Sequence, residues 1–253
     1  MKTVSILHTG GTIASKVDYK TGGVIAKYSA EDILSMFPEL KELVKVKSRL
    51  IRNMSSDDMN FKHYNLMAKE VFKELKSSDG VIITHGTDTM HYSAVALSFI
   101  LEGLDKPVLL VGAQRSSDRG SSDAGLNLIC AAQFIKNSEF NGVGICMHEG
   151  MSDENCLILP AVKTRKLHSS RRDAFKVVND QAIARVNKYG KIEFLNYNKK
   201  EKGELELKLI NEKLKIGLFK SRPNMFASEL KIYEKYDGLV LEGTGLGHFP
   251  ITK

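Results

Sequence analysis

Three apolar runs, each emptying into a loop of Gly, Thr, Ser and Asp, constrain this chain more than any other feature. Residues 2–7, KTVSIL, alternate polar and apolar side chains and then meet Gly10 and Gly11, the pattern of a strand leaving into a loop. The run GVIIT (80–84) is β-branched, passes through HGTDT and enters MHYSAVALSFILEG, where Tyr92, Val95, Ala96, Phe99 and Ile100 fall at helical spacing before Gly103. PVLLVGA (107–113) repeats the sequence of events through QRSSDRGSSD into AGLNLICAAQFI, and GVGICM (142–147) reads as another buried strand. Strands alternating with helices predict an α/β fold built on a doubly wound parallel sheet.

The rhythm lapses over 187–212, NKYGKIEFLNYNKKEKGELELKLINE, which is dense in Lys and Glu and reads as a linker holding a short hairpin or strand. Strand, helix, strand and a Gly-rich turn resume from 213. We therefore expect a first domain over 1–186, the linker, and the start of a second α/β domain over 213–253. The chain stops directly after a strand and its loop, with no helix to cover that strand. The second unit is accordingly expected to be incomplete, either a fragment or dependent on a partner.

Composition narrows the class. With 42% hydrophobic and 26% charged residues the chain sits in the ordinary globular range. The net charge of +7 is spread along the sequence, with local clusters at 163–172 and 199–202, and a solvated lysine-rich surface is favoured over contact with RNA. Cys130, Cys146 and Cys156 are odd in number and form no CxxC pair, which argues against a disulfide framework or structural zinc and fits a reducing cytoplasm. The N-terminus has too short an apolar run for a secretory signal, and SAVALSFIL is about half of the roughly 20 residues a membrane span needs. A cytoplasmic protein without membrane attachment is expected.

Ligands of open parallel sheets bind at the carboxyl ends of the strands. The loops there carry TGGT, HGTDT and QRSSDRGSSD, so Thr12, Thr87, Asp88 and Ser116 to Asp123 converge on one edge by topology. Thr87, Asp88 and Thr89 also suit the N-cap region of the following helix, and taken singly that structural role is the simpler account. The functional account adds that the same amides and helix dipole attract the carboxylate of a small acidic substrate. A threonine hydroxyl becomes a nucleophile only when a base takes its proton, and a lysine serves if neighbouring groups favour its amine and aim it. AVKTRKLHSSRRDAF (161–175) offers Lys163 and Lys166 beside Arg165, with an aspartate such as Asp88 as orienting group; spacing leaves the choice of lysine open.

Other chemistries fail on spacing. GTGLG (243–247) lacks the GxGxxG pattern, no GxxxxGK[ST] exists, MHEGM is not HExxH, and the seven histidines show no ligand spacing. Cys130 and Cys146 lie in apolar segments, as buried small hydrophobes do. Neither a cofactor nor a metal is implied.

TGGTIAS (9–15) with THGTDTM (84–90) resembles the paired signature segments of the L-asparaginase/glutaminase family in content, order and separation. Within it, GAQRSSDRGSSDAGLNL, KLHSSRRDAF and EGTGLGH are most similar to the branch that supplies the amidase component, the D subunit, of archaeal-type glutamyl-tRNA(Gln) amidotransferases. The resemblance runs over essentially the whole chain and makes 1–186 the asparaginase-like domain. It implies that Thr12 is the nucleophile, that Thr87, Asp88 and Lys166 complete the catalytic set, and that Gly11 offers an amide to the oxyanion. It further implies Ser56 and Asp57 as the substrate-binding loop, with Gly86 and Ala113 lining the pocket through backbone. Many asparaginases carry a tyrosine on the mobile loop after the first threonine, a role that falls to Tyr19. A glutamine often found in the substrate loop is Asp57 here, which suits a substrate ammonium.

The implied activity is release of ammonia from the side-chain amide of glutamine or asparagine. The implied partners are a second copy, as a homodimer whose C-terminal domain completes the neighbouring site, and a second amidotransferase subunit that binds tRNA and ATP. A free-standing L-asparaginase and a catalytically silent scaffold or binding module are the alternatives.

Overall fold

A computed structural model describes residues 1–18, 20–22, 24–26, 29–199 and 203–250. The main sheet holds β1 (Thr3–Gly10), β2 (Lys45–Met54), β3 (Gly80–Thr84), β4 (Pro107–Val111), β5 (Gly142–His148), β6 (Asn155–Pro160), β7 (Ala184–Asn187) and β8 (Ile192–Phe194). Their order is β8-β7-β6-β5-β4-β3-β1-β2. The five strands from β2 to β5 pair in parallel. The far edge departs from the all-parallel expectation, because β5, β6, β7 and β8 pair antiparallel. The turns at 149–154 and 188–191 are too short for a parallel crossover, which takes a dozen residues or more.

Of the parallel strands, β1, β3, β4 and β5 are buried on both faces while the edge strand β2 is not, and the period of two sorts their side chains between two cores. Val4, Ile6, Ile82, Leu109, Val111 and Cys146 face one side, under helices α1 (Ala30–Met36) and α2 (Glu39–Leu43) and the longer α5 (Ala124–Asn137). Leu7, Val81, Ile83, Val108, Leu110 and Met147 face the other, under α3 (Phe61–Glu74) and α4 (Met90–Ile100). α3 starts where the Asn60 side chain accepts from Lys62 N at 3.1 Å. α4 buries Met90, Ala94, Leu97 and Ile100, so of the apolar set at helical spacing Tyr92 and Phe99 are turned to the outside. Cys130, Cys146 and Cys156 are free and fully buried, and burial pushes the thiols of Cys146 and Cys156 up.

The compact first unit runs from Met1 to Ile210. The stretch 187–212, expected as a linker, carries β8, the second arm of a hairpin, and a short strand Glu206–Leu207 that pairs with Leu101–Glu102. The second unit, Asn211–Lys253, has two parallel strands, Ile216–Lys220 and Gly238–Glu242, joined through a 3-10 segment, Ala227–Lys235, in place of the expected α-helix. Among the described residues, no helix is long and apolar enough to cross a membrane.

One topological event positions the site. The chain leaves β1 for β2 on one side and then crosses to β3 on the other, so the carboxyl ends of β1 and β3 open a crevice between oppositely directed connections.

Phe134 anchors the α5 core, fully buried with its ring 5.5 Å from Phe140 and 6.0 Å from Phe194. Phe134→Ala is expected to lower unfolding free energy by about 3–5 kcal/mol, read from the shift of the urea midpoint at unchanged slope.

Candidate active site

Two glycines bring the first and second loops together. Gly11 has φ 79° and ψ −177°, backbone space that essentially only glycine occupies. A Cβ there would lie 2.5 Å from both Cα and N of Gly86, so the strands' exits meet backbone to backbone. Thr12 and Thr87 each follow directly from that contact. Ser56, which is buried, packs on the other side of Gly86, where a Cβ would meet Ser56 Cβ at 2.8 Å. His85 secures the turn. Because Gly86 O can only accept, Nδ1 of His85 donates to it at 2.7 Å, leaving Nε2 to accept from Ser93 Oγ at 2.8 Å.

The hydroxyls and carboxylate at the start of α4 do not cap it. The N-cap residue Thr89 makes no capping bond, and its Oγ1 donates to Ser56 O at 2.6 Å instead. Lys166 Nζ donates to Thr87 Oγ1 at 2.8 Å and to Asp88 Oδ1 at 2.6 Å. Thr87 Oγ1 in turn donates to Gln114 Oε1 at 3.3 Å. The lysine side chain is 8% exposed and its carboxylate partner 62% exposed, so the ion pair spans from the interior to solvent. Lys163 and Arg165 are exposed; among the candidates in that stretch, Lys166 alone turns inward. The hairpin that presents it, Thr164–Lys166 against Phe175–Val177, has Phe175 buried beneath it.

The third loop, 114–123, closes over the first. Ser117 Oγ donates to Ile13 O at 2.7 Å, and Asp118 Oδ2 accepts from Val17 N at 2.8 Å. Thr12, Gln114, Arg115, Ser116, Arg119 and Ser121 line a cavity of about 550 Å3. Ala113 is fully buried beside it in sequence, and Asp57 is exposed, accepting from Ser55 Oγ at 3.2 Å. Thr87, Asp88 and Lys166 are thus in contact, with Gly11, Gly86, Ser56 and Thr12 gathered around them. Among the described residues no hydrogen bond joins Thr12 to that trio. Tyr19 lies outside the described residues. Motif reading does not single out Gln114; its place directly after the strand-ending Gly112–Ala113 is the available signal. Among the described residues no cluster of three His, Cys, Asp or Glu could hold a metal ion.

Fold and site together define the class. The family model described as Asparaginase, N-terminal, matches residues 3–200, and the chain belongs to this family. It is 48% identical to the D subunit of the glutamyl-tRNA(Gln) amidotransferase of Pyrococcus furiosus, over 99% of this chain and 58% of that protein. It is 49% identical to the corresponding D subunit of Archaeoglobus fulgidus, over 97% of this chain and 59% of that protein. The chain therefore spans about three fifths of the length of these curated relatives. Among solved structures it is similar to the thermostable L-asparaginase from Thermococcus kodakarensis, with TM-score 0.85 and 29% identity over 98% of this chain and 73% of that one. A probable cytoplasmic L-asparaginase from Campylobacter jejuni gives TM-score 0.80 and 28% identity over 99% and 77%.

Gly11→Ala combines a glycine-only conformation with a clash against backbone and is expected to destabilise the fold by about 2 kcal/mol or more, whereas Thr12→Ala leaves the thermal midpoint nearly unchanged. A second expectation concerns acid. Burial pushes His8 and His85 from 6.5 down to about 4, and burial followed by Arg165 and Lys166 does the same to His91. As pH falls from 6.5 to 4 the unfolded chain takes up protons that these folded imidazoles refuse. Stability is full above that window and lost through it, by about 3 kcal/mol or less per imidazole, and by less at His91, where solvent screens the neighbouring cations. His85→Gln is expected to flatten the slope in urea melts across these pH values.

Proposed function

We propose that this chain is the catalytic part of an amidohydrolase that releases ammonia from the side-chain amide of glutamine or asparagine. The observation that carries this reading is the Lys166–Thr87–Asp88 trio, bonded through Thr87 to Gln114, which lines a cavity of about 550 Å3 together with Thr12. Thr12 Oγ1 attacks the amide carbon, and its proton passes toward Thr87 and the amine of Lys166, whose ammonium Asp88 then holds. Amides of the TGG and HGT segments face the developing negative charge, which glycines permit because no side chain intrudes. The tetrahedral intermediate collapses to a threonyl ester as the proton held at Lys166 passes to the departing amide nitrogen, which leaves as ammonia, and water then hydrolyses the ester to the free carboxylate and the threonine hydroxyl. Ser56, exposed Asp57 and exposed Asp88 supply the polar and acidic groups that suit a substrate's α-ammonium; Gly86 and Ala113 line the site through backbone.

The amidotransferase relatives favour glutamine as the amide donor and transfer of the ammonia to a second amidotransferase subunit, one that binds tRNA and ATP and amidates glutamate carried on tRNA(Gln). The chain itself associates as a homodimer in the cytoplasm on this reading.

One observation favours a second reading of the first step. Lys166 Nζ lies 2.8 Å from Thr87 Oγ1, so a neutral Lys166 amine would take the proton of Thr87 and make Thr87 the attacking group. Trapping the acyl-enzyme with a reactive glutamine analogue and locating the modified residue by mass spectrometry separates the two. We expect the label on Thr12. Ammonia release, measured with glutamine and asparagine in the presence and absence of the partner subunit, charged tRNA and ATP, is expected to fall by about 100-fold or more in Thr12→Ala and Lys166→Met. Unchanged turnover in Thr12→Ala removes Thr12 from the chemistry, and no turnover by the unaltered chain in any assembly leaves a scaffold.

A further inference from the structure

Arg172 lies six residues beyond Lys166, in the loop of the same hairpin, and its side chain is only 10% exposed. Its guanidinium serves two segments at once. Nη1 donates to Met151 O at 3.2 Å and to Asp153 Oδ1 at 2.8 Å, while Nη2 donates to Ser121 O at 2.6 Å. Ser121 belongs to the third loop, the one that carries Gln114. A single planar group therefore ties the hairpin bearing Lys166 to the loop bearing Gln114, and both of those side chains end on Thr87 Oγ1.

The other attachments of the loop make this tie consequential. Asp123, wholly buried, accepts from Gln114 N at 3.0 Å with either oxygen and from Arg115 N at 3.1 Å, and so fixes the start of the loop. Asn127 Nδ2 braces Asp123 at 3.3 Å and Gly112 O at 3.0 Å. Its Oδ1 lies 2.6 Å from His148 Nδ1, and His148 Nε2 lies 3.2 Å from the Asp153 oxygen that Arg172 also holds. The loop is thus fastened to the body at one end by Asp123 and to the lysine hairpin at the other by Arg172. Only a rigid fork of donors can satisfy a carboxylate and carbonyls on separate segments simultaneously, which an ammonium cannot reproduce. Arg172 is not among the residues lining the cavity beside Thr12.

We propose that Arg172 is a positioning residue for the amide hydrolysis, holding Lys166 and Gln114 at a fixed separation across Thr87. This rests on the function proposed above. Misplacement of a reacting group by about 1 Å costs on the order of 100-fold in rate, so the loss of the fork should register in turnover more than in substrate affinity.

The test compares Arg172→Ala and Arg172→Lys with the unaltered chain, in whichever assembly supports turnover. The expected result is a fall in kcat of about 30- to 100-fold with KM changing by about 3-fold or less. Added guanidinium at millimolar concentration, but not ammonium at equal ionic strength, should return about 10-fold of the loss in Arg172→Ala, and Arg172→Lys should stay impaired. An activity-independent arm uses trypsin, since Arg119 is exposed in the tethered loop. Cleavage after Arg119 should quicken by about 5-fold or more in Arg172→Ala relative to cleavage after Lys199, which is also exposed. Unchanged kcat, or a loss matched by a fall in folded fraction and untouched by guanidinium, overturns the proposal. If the unaltered chain hydrolyses neither amide, the function proposed above fails instead, and an unchanged Arg119 cleavage rate then overturns the tether as well.

Discussion

The approach of Gly11 to Gly86 is the contact on which the rest of the site depends. Two strands that are neighbours in a parallel sheet leave it in opposite directions, and the crevice between their loops is normally wide enough for side chains to fill. Here neither loop has a side chain at the point of closest approach, and a single Cβ at Gly11 would collide with main-chain atoms of Gly86. Thr12 and Thr87 are the next residues along the two segments that meet there, because their predecessors have nothing to interpose. The conformation of Gly11, φ 79° and ψ −177°, would be strained for any other residue, so geometry and sequence agree at this one position.

Around that contact, polar groups pair across segments distant in sequence, while Nε2 of Gln114 is buried without a partner. Thr89 bonds the Ser56 carbonyl, Ser117 bonds the Ile13 carbonyl, and Lys166 reaches back to Thr87 and Asp88. Thr87, Asp88 and Thr89 are engaged in these bonds rather than in capping, and α4 begins without a side-chain cap. Donors and acceptors that fasten loops to one another cannot also satisfy a helix end. The arrangement places the Lys166 nitrogen in the interior against a carboxylate that is mostly in water, so that only one member of the pair is desolvated.

The scaffold accounts for how such loops stay put. The strands β1, β3 and β4 are buried on both faces, their alternate residues feeding separate cores, so their carboxyl ends are fixed relative to each other from above and below. The antiparallel edge of β6, β7 and β8 lies away from the crevice and continues into the hairpin that delivers Lys166. The excursion over 161–183 that carries this hairpin lies between β6 and its antiparallel neighbour β7.

Much of this is legible in the residues themselves. Apolar runs that empty into Gly-containing polar loops, two of them followed by helical spacing, specify the strands, the helices and the edge at which their loops gather, because burial on a sheet and termination by glycine are local properties. The antiparallel edge is not legible, since strand direction follows from how far the connecting chain can reach. Nor does periodicity place Tyr92 and Phe99 on the outer side of α4, because an apolar stripe does not reveal which part of it the sheet covers. The inward lysine is decided in the same way. Lys163 and Lys166 are chemically alike, and only the pairing of Thr164–Lys166 with Phe175–Val177 over a buried Phe175 turns one of them toward Thr87 while leaving the other in solvent. Local pattern set the elements and the glycines that had to meet; the meeting itself, and the choice of partner for each polar group, came from tertiary contacts between segments dozens of residues apart, which no local pattern encodes.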